Sequence, residues 1–278
     1  MSAAPPRLLC LCADDFGQTP GISQGIADLA RHRRLNAIAC LTNGRHWPSS
    51  AALLSKLPDT VECGLHFNLT EGVPLSPELR EHWPRLPSLR RLVLQAHGHW
   101  LPIQALRSEW RAQWQAFVQA TGRAPQFVDG HQHVHHLPGV RATVLNGAAA
   151  ANVPVRNTGR VHGPGNALKR WLIEYTGGKA LRRQLRQRGL AHNPALTGVY
   201  GFDGTDYRSR MQAWLAAVPA DGALLFCHPA AGLPDPADPI GAARLREAAY
   251  LGSRAFRDDL AAAGVRLGRV WTKRSSGG

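Results

Sequence analysis

The chain has 278 residues, 44% of them hydrophobic, with 33 basic against 19 acidic side chains and a formal net charge of +14. That length supports one large core or two small ones, and no stretch approaches the roughly 20 apolar residues of a membrane helix. The start, Met1-Ser2-Ala3-Ala4-Pro5-Pro6-Arg7, lacks the charged region, apolar core and cleavage site of a secretory signal, so one cytoplasmic domain over residues 1–278 is expected.

In chain order, apolar runs at 8–12, 37–41, 61–67, 126–128, 153–156, 223–227 and 265–270 read as strands. Helical patterns at 22–32, 49–57, 103–121, 140–151, 167–188, 207–217 and 242–263 fall between them. In 103–121, Leu106, Trp110, Trp114 and Phe117 form one stripe, which reads as core. Alternating strands and helices, with continuously apolar strands, predict an α/β fold with a parallel sheet and helices outside. The expected architecture is an irregular, TIM-type (β/α) barrel-like fold; an open doubly wound sheet is the alternative. Two insertions break the rhythm, 71–101 and the basic, glycine-punctuated 159–206, and both are candidate lids or interface elements, with a homodimer as one use. Residues 275–278 form a low-complexity tail.

The positive charge admits an anionic partner. However, the basic residues are scattered or lie on polar helix faces. The densest cluster, Lys179-Ala180-Leu181-Arg182-Arg183-Gln184-Leu185-Arg186-Gln187-Arg188, has Leu181 and Leu185 at helical spacing. No nucleic-acid-binding module is recognisable, so no specific nucleic-acid partner is expected. Cys10, Cys12, Cys40, Cys63 and Cys227 form no C-x-x-C pair and are expected to be reduced, buried thiols.

Polar clusters sit at the C-terminal ends of four predicted strands, the face on which a parallel barrel builds active sites. They are Asp14-Asp15-Phe16-Gly17, then Leu65-His66-Phe67-Asn68-Leu69-Thr70-Glu71-Gly72, then Asp129-Gly130-His131-Gln132-His133-Val134-His135-His136, and finally His228-Pro229. Four imidazoles and a carboxylate within eight residues suit metal ligation and proton transfer. If the strand ran on, alternation would put Asp129, His131, His133 and His135 on one side. At a rise of about 3.3 Å per residue, His131 and His135 would then lie about 13 Å apart at their backbones. Metal–nitrogen bonds are about 2.0–2.1 Å long, so one ion would take one or two of these histidines and find its other ligands elsewhere. Asp14 and Asp15 would point opposite ways, one free to ligate a cation and the other to accept a proton. His66 alone reads as a core histidine, and Pro229 holds His228 extended.

In this order the four motifs resemble those of the YdjC-like carbohydrate deacetylases, which include chitooligosaccharide deacetylases and a member associated with hopanoid biosynthesis. The resemblance implies a (β/α)-barrel-like fold and one divalent metal, held by an aspartate and two histidines that correspond to Asp15, His66 and His131. It further implies Asp14 as general base and His228 as general acid. His133, His135, Asn68 and Arg156 are candidates for contacting substrate or orienting ligands, with Asn43 and Arg45 weaker ones. Zinc or magnesium is the expected metal, and manganese, cobalt, nickel or iron also suit such ligands.

The implied activity removes N-acetyl groups from an amino sugar or N-acetylated glycoconjugate, such as a chitooligosaccharide or a GlcNAc-bearing hopanoid lipid. A metal-dependent phosphoesterase with two ions is the first alternative, weakened by the scarcity of further carboxylates near the motifs. A non-enzymatic metal- or nucleic-acid-binding protein is the second, and it leaves the paired aspartates and His228 unexplained. Trp171, Leu172 and Tyr175 in the Arg-rich insertion admit a lipid-linked substrate and peripheral membrane contact, or plain packing on the barrel or a dimer partner.

Overall fold

The computed structural model describes residues 5–233 and 236–272; the first four residues and the 275–278 tail lie outside the described residues. Strand β1 (Arg7–Phe16) is the hub of the sheet. It pairs in parallel with β2 (Ala37–Cys40) and β6 (Ala223–Cys227), and its first residues also pair with β7 (Val265–Leu267). Outward from β2 come β3 (Glu62–Phe67) and β4 (Val128–Gly130), while β5 (Leu196–Thr197) flanks β6. Single bridges from Val128 to Val155 and from Val155 to His192 carry the ladder from β4 towards the segment that ends in β5. The result is a curled parallel sheet with helices around it, as the alternation predicts.

Both faces of the sheet are buried, which explains the continuous apolar strands. Leu9 and Leu11 pack outward with Ile38 and Cys40 against helix α1 (Pro20–Arg31). Cys10, Cys12, Ala37 and Ala39 face the other way, in a cluster with Phe127 and Phe226. All five cysteines are free and buried. Helix α1 starts two residues before the expected position, with Pro20 in its first turn and the Thr19 hydroxyl accepting from the Ile22 N–H.

The 49–57 pattern resolves into α2 (Trp47–Ala51) and a 3-10 turn (Ala52–Lys56). The first insertion folds into α3 (Pro77–His82) and α4 (Leu89–His97). Then α5 (Ile103–Thr121) buries Leu106, Trp110 and Phe117, and Gly122 ends it in the left-handed region at φ 70°. Helix α6 (Val140–Ala151) follows the histidine run.

Several boundaries differ from expectation. The strand at 126–128 starts later and reaches Gly130; that at 153–156 shrinks to the bridge at Val155. The 167–188 pattern divides into α7 (Ala167–Ile173) and α8 (Lys179–Gln187), because a π turn at Glu174–Gly178 breaks it where Gly177 packs on the His136 carbonyl. After α9 (Tyr207–Ala216), the 242–263 pattern also divides, into α10 (Gly241–Gly252) and α11 (Arg254–Ala262). Ser253 is extended there and caps α11 through its hydroxyl.

Gly64 in β3 is a close-packing point. A Cβ there would stand 2.5–2.6 Å from the Phe127 ring, which stacks on Trp271 with centroids 5.2 Å apart. Gly64→Ala should therefore overpack this face and cost about 1–3 kcal/mol. It should appear as a lower urea midpoint at an unchanged slope.

Candidate metal centre and active site

The site forms where β1, β3 and β4 end. Pairing of β1 with β2 is irregular between Ala13 and Phe16, and Asp15 lies there at φ 72°. Such a bulge re-aims side chains. Instead of pointing opposite ways, Asp14 and Asp15 both enter the same buried cluster, at 3% and 2% exposure.

The histidine run does not continue as a strand. It stops at Gly130 and turns through 3-10 geometry over His131–His136, with Gln132 and His133 in the left-handed region at φ 50° and 63°. The alternation and the 13 Å spacing therefore do not apply. His131 turns toward Asp15, with Nδ1 2.9 Å from Asp15 Oδ1. His66 Nε2 lies 3.6 Å from the same oxygen. Donor atoms of Asp15, His66 and His131 all lie within 4.8 Å of one another. Asp15 Oδ1 is buried without a hydrogen-bond partner. A carboxylate and two imidazoles facing one point, with an orphaned oxygen among them, fit a divalent cation with coordination positions to spare.

Each histidine has a carboxylate behind it, hydrogen-bonded for His66 and at ion-pair distance for His131, whose Nε2 makes no hydrogen bond. His66 Nδ1 lies 2.6 Å from Asp129 Oδ1, and His131 Nε2 lies 3.0 Å from Glu71 Oε1. This arrangement orients a metal-binding imidazole and raises its basicity. Burial opposes a charge on His66, but Asp129 and Asp14 outweigh it and raise its pKa to about 10. For His131, Asp15 and Glu71 likewise overcome burial and bring it to about 9.

Asp14 is held by Arg156, whose Nη1 and Nη2 donate to its two oxygens at 2.7 and 2.6 Å. Despite burial, that guanidinium keeps Asp14 well below the usual carboxylate range. Arg156 Nη2 also lies 2.5 Å from Asp129 Oδ2 and donates to Cys12 Sγ at 3.1 Å. A second possible donor group, Cys12, Asp14 and Asp129, is thus already filled by the Arg156 cation.

His228 is half-buried. Its ring packs edge-on against Phe202 and Phe226, and its Nδ1 is buried without a partner. Burial lowers its pKa to about 4, with Asp15 and Asp14 opposing in part. His133 meets the same Phe226 ring edge-on at 5.3 Å.

The other named residues lie behind the site. His135 is buried with Nε2 2.9 Å from the Arg156 carbonyl. Asn68 spends its side chain on the turn that carries Glu71: Nδ2 donates to Asn43 Oδ1 and the Glu71 carbonyl, and Oδ1 accepts from the Thr70 and Glu71 N–H groups. Asn43 belongs to that network, and Arg45 is exposed.

Sequence reasoning named Asp129 only as the carboxylate of the histidine run and gave no role to Glu71, Arg244 or Glu247. Arg244, on α10, donates to the second oxygen of Asp15 at 2.8 Å and to Asp238 at 2.6 Å. Glu247, one turn on, accepts from the His228 N–H and the Tyr200 hydroxyl, and burial pushes its carboxyl up to about 7. Spacing to α10 carries no signal for either contact.

A model of the YdjC-like protein family matches residues 8–262. The chain belongs to that family. Among curated relatives, a chitooligosaccharide deacetylase of Enterobacter sp. (strain 638) is 34% identical over 157 residues, covering 54% of this chain and 59% of that protein. A carbohydrate deacetylase of Xenopus laevis is 33% identical over 150 residues, covering 51% and 47%. The match thus spans about half the length of these relatives. A solved protein from Enterococcus faecalis V583, titled for cellobiose-phosphate cleavage, aligns over 95% of this chain and 98% of its own, with a TM-score of 0.74 and 20% identity. A family 4 carbohydrate esterase from Streptomyces lividans, solved with acetate, aligns over 96% and 94% with a TM-score of 0.50 and 13% identity. Both share the fold.

Asp129→Asn should leave His66 in place but remove its negative partner. Zinc affinity, measured by chelator competition, should drop about 10–100-fold.

Proposed function

We propose that the protein is a metal-dependent hydrolase that removes N-acetyl groups from an amino sugar or N-acetylated glycoconjugate. The observation that carries this reading is the convergence of Asp15, His66 and His131 beside a separately tethered carboxylate, Asp14. The family membership and the deacetylases among the relatives support it.

In this reading Asp15, His66 and His131 hold one divalent ion, zinc or magnesium, which when bound polarises the amide carbonyl and lowers the pKa of water. Asp14 is the general base. Its two hydrogen bonds from Arg156 fix the carboxylate plane, so its orientation needs no search when a proton arrives. They also weaken its basicity, which sets a limit on how early the proton moves. His228 is the general acid toward the departing nitrogen. Burial disfavours a charge on its ring, with Asp15 and Asp14 opposing in part; the proton that it delivers to the nitrogen is the one that Asp14 takes from water. Each transfer would contribute about 10²–10⁴-fold. Glu247 fixes the His228 backbone through its N–H, and Phe226 seats the ring.

His133 shares Phe226 with His228 and is assigned to the substrate side of the cleft, not to the metal. The dinuclear phosphoesterase alternative would need a second cation among Cys12, Asp14 and Asp129, a position filled by Arg156.

The test is acetate release by metal-loaded protein from N-acetylglucosamine, chitobiose and an N-acetylglucosaminyl lipid. Asp14→Asn should reduce turnover by about 10²-fold or more with metal content unchanged. Acetate release that survives this change, or a metal content near two per chain, would overturn the assignment. His133→Ala should lower activity while leaving bound metal near its original level; a parallel loss of both would make His133 a ligand instead.

A further inference from the structure

Nine large apolar side chains stand exposed among the described residues; four belong to 71–101, four to 159–206, and Leu233 is the ninth. Those in the second segment are ordered. Leu168, Trp171, Leu172 and Tyr175 fall at i, i+3, i+4 and i+7, one stripe along α7 and the turn that continues it. They are 43–67% exposed, and no residue of α7 is buried. Trp171 and Tyr175 stack with centroids 4.9 Å apart. An amphipathic helix normally turns such a stripe to the core; this one turns it to solvent.

The stripe leads directly into a concentrated cationic surface. The Lys179 ammonium lies 3.9 Å above the Tyr175 ring. Lys179, Arg182, Arg183 and Arg186 line a recess of about 360 Å³, with Gly159 and Gln187 completing it. Burial, then the neighbouring Arg186 and Arg160 cations, disfavour the charge on Arg182. Helix α8 buries only Leu181 and Leu185 and gives its remaining surface to these cations.

This surface adjoins the candidate active site. His136, at the end of the histidine turn, pairs its Nε2 with Thr176 Oγ1 at 3.1 Å. At the other end, Lys169 donates to the Tyr200 carbonyl and lies 5.1 Å over Phe202, the ring that packs on His228.

We propose that α7 and α8 dock the protein on an anionic lipid bilayer, with the apolar stripe at the boundary between headgroups and acyl chains and the α8 cations on lipid phosphates. Apolar and aromatic residues beside a Lys/Arg face are the composition of an interfacial helix, and clustered cations add attraction to an anionic surface. Charge decides against a second copy of this chain as the occupant. A two-fold contact sets the same patch against itself and would gather the α8 cations of both copies at one interface. Docking rests on the proposed deacetylation only for its consequence, that the cleft would receive its acetamide at the membrane surface.

The experiment is sedimentation of the full chain with phosphatidylcholine vesicles, with and without phosphatidylglycerol, at low and high salt. Binding is expected to the anionic vesicles alone and to weaken with salt. Trp171→Ser with Leu172→Ser, and separately Arg183→Glu with Arg186→Glu, should each weaken it at least about tenfold. These side chains are exposed, so both variants should keep the parent's melting profile. Failure to bind anionic vesicles, equal binding by parent and variants, or a lipid-free dimer that Trp171→Ser with Leu172→Ser dissociates would overturn the proposal. Vesicle binding is read without any substrate, so its failure leaves the deacetylase reading standing, and the converse also holds.

Discussion

The buried guanidinium of Arg156 is the charge on which the site depends. It has no exposed surface, and its Nη2 is shared between Asp14 and Asp129. Isolating such a cation from water costs several kcal/mol; its two carboxylates oppose that cost through Nη1 and Nη2, while Nε has no hydrogen-bond partner. Here two carboxylates face one cation, so the cluster retains a negative charge. His66, 2.6 Å from Asp129, is drawn toward the protonated state to meet it. A divalent ion at the proposed position would meet the same need. One residue thereby links the tethering of Asp14 to the orientation of His66. His135 fixes that residue from its backbone, and an imidazole donating to the Arg156 carbonyl must carry its proton on Nε2.

A second constraint comes from α5, whose buried polar residues build the loop after β3. Gln113 accepts from the Asn68 N–H through Oε1, and its Nε2 donates to the Asn68 carbonyl and to Glu109. Glu109 in turn accepts from the Leu75 and Ser76 N–H groups. Glu71 lies between these anchors, half-exposed, and reaches back to His131. Left-handed backbone at Asp15, Gln132 and His133 costs about 1–3 kcal/mol per residue and persists because such contacts fix the surrounding chain. The geometry of the proposed ligands is thus imposed from outside the cluster.

These dependencies explain what was legible in the sequence. Strands buried on both faces leave apolar runs, and parallel connections leave helical patterns between them, so the sheet and its outer helices could be read directly. Residues at strand ends could be named because the chain places them there whatever their partners. The turn at Gly130 could not, since a histidine run has no period of its own. Gly130 has His135 packed against it, with the backbone N–H only 2.7 Å from where a Cβ would lie. A side chain at position 130 would block this close approach within the turn. The roles of Asp129 and Glu71 were hidden for a related reason: both stood inside quoted motifs, but a carboxylate behind a histidine is a spatial relation. Arg244 and Glu247 lie on a helix more than 200 residues from Asp15 along the chain, and only the fold brings Arg244 to it.

Charge distribution bears on the choice of substrate. The protein carries an excess of 14 positive charges, yet Asp14, Asp15 and Asp129 are gathered inside the site and Glu71 stands at its edge. Arg156 and Arg244 are committed to those carboxylates, so neither is free to receive an anion. A phosphate ester would bring its charge into a cluster already rich in carboxylate and would need further cations to compensate. A neutral acetamide incurs no such repulsion. The densest cluster of cations lies instead on α8, outside this group of carboxylates. Overall basicity and a neutral substrate are therefore compatible, because the two belong to different parts of the molecule.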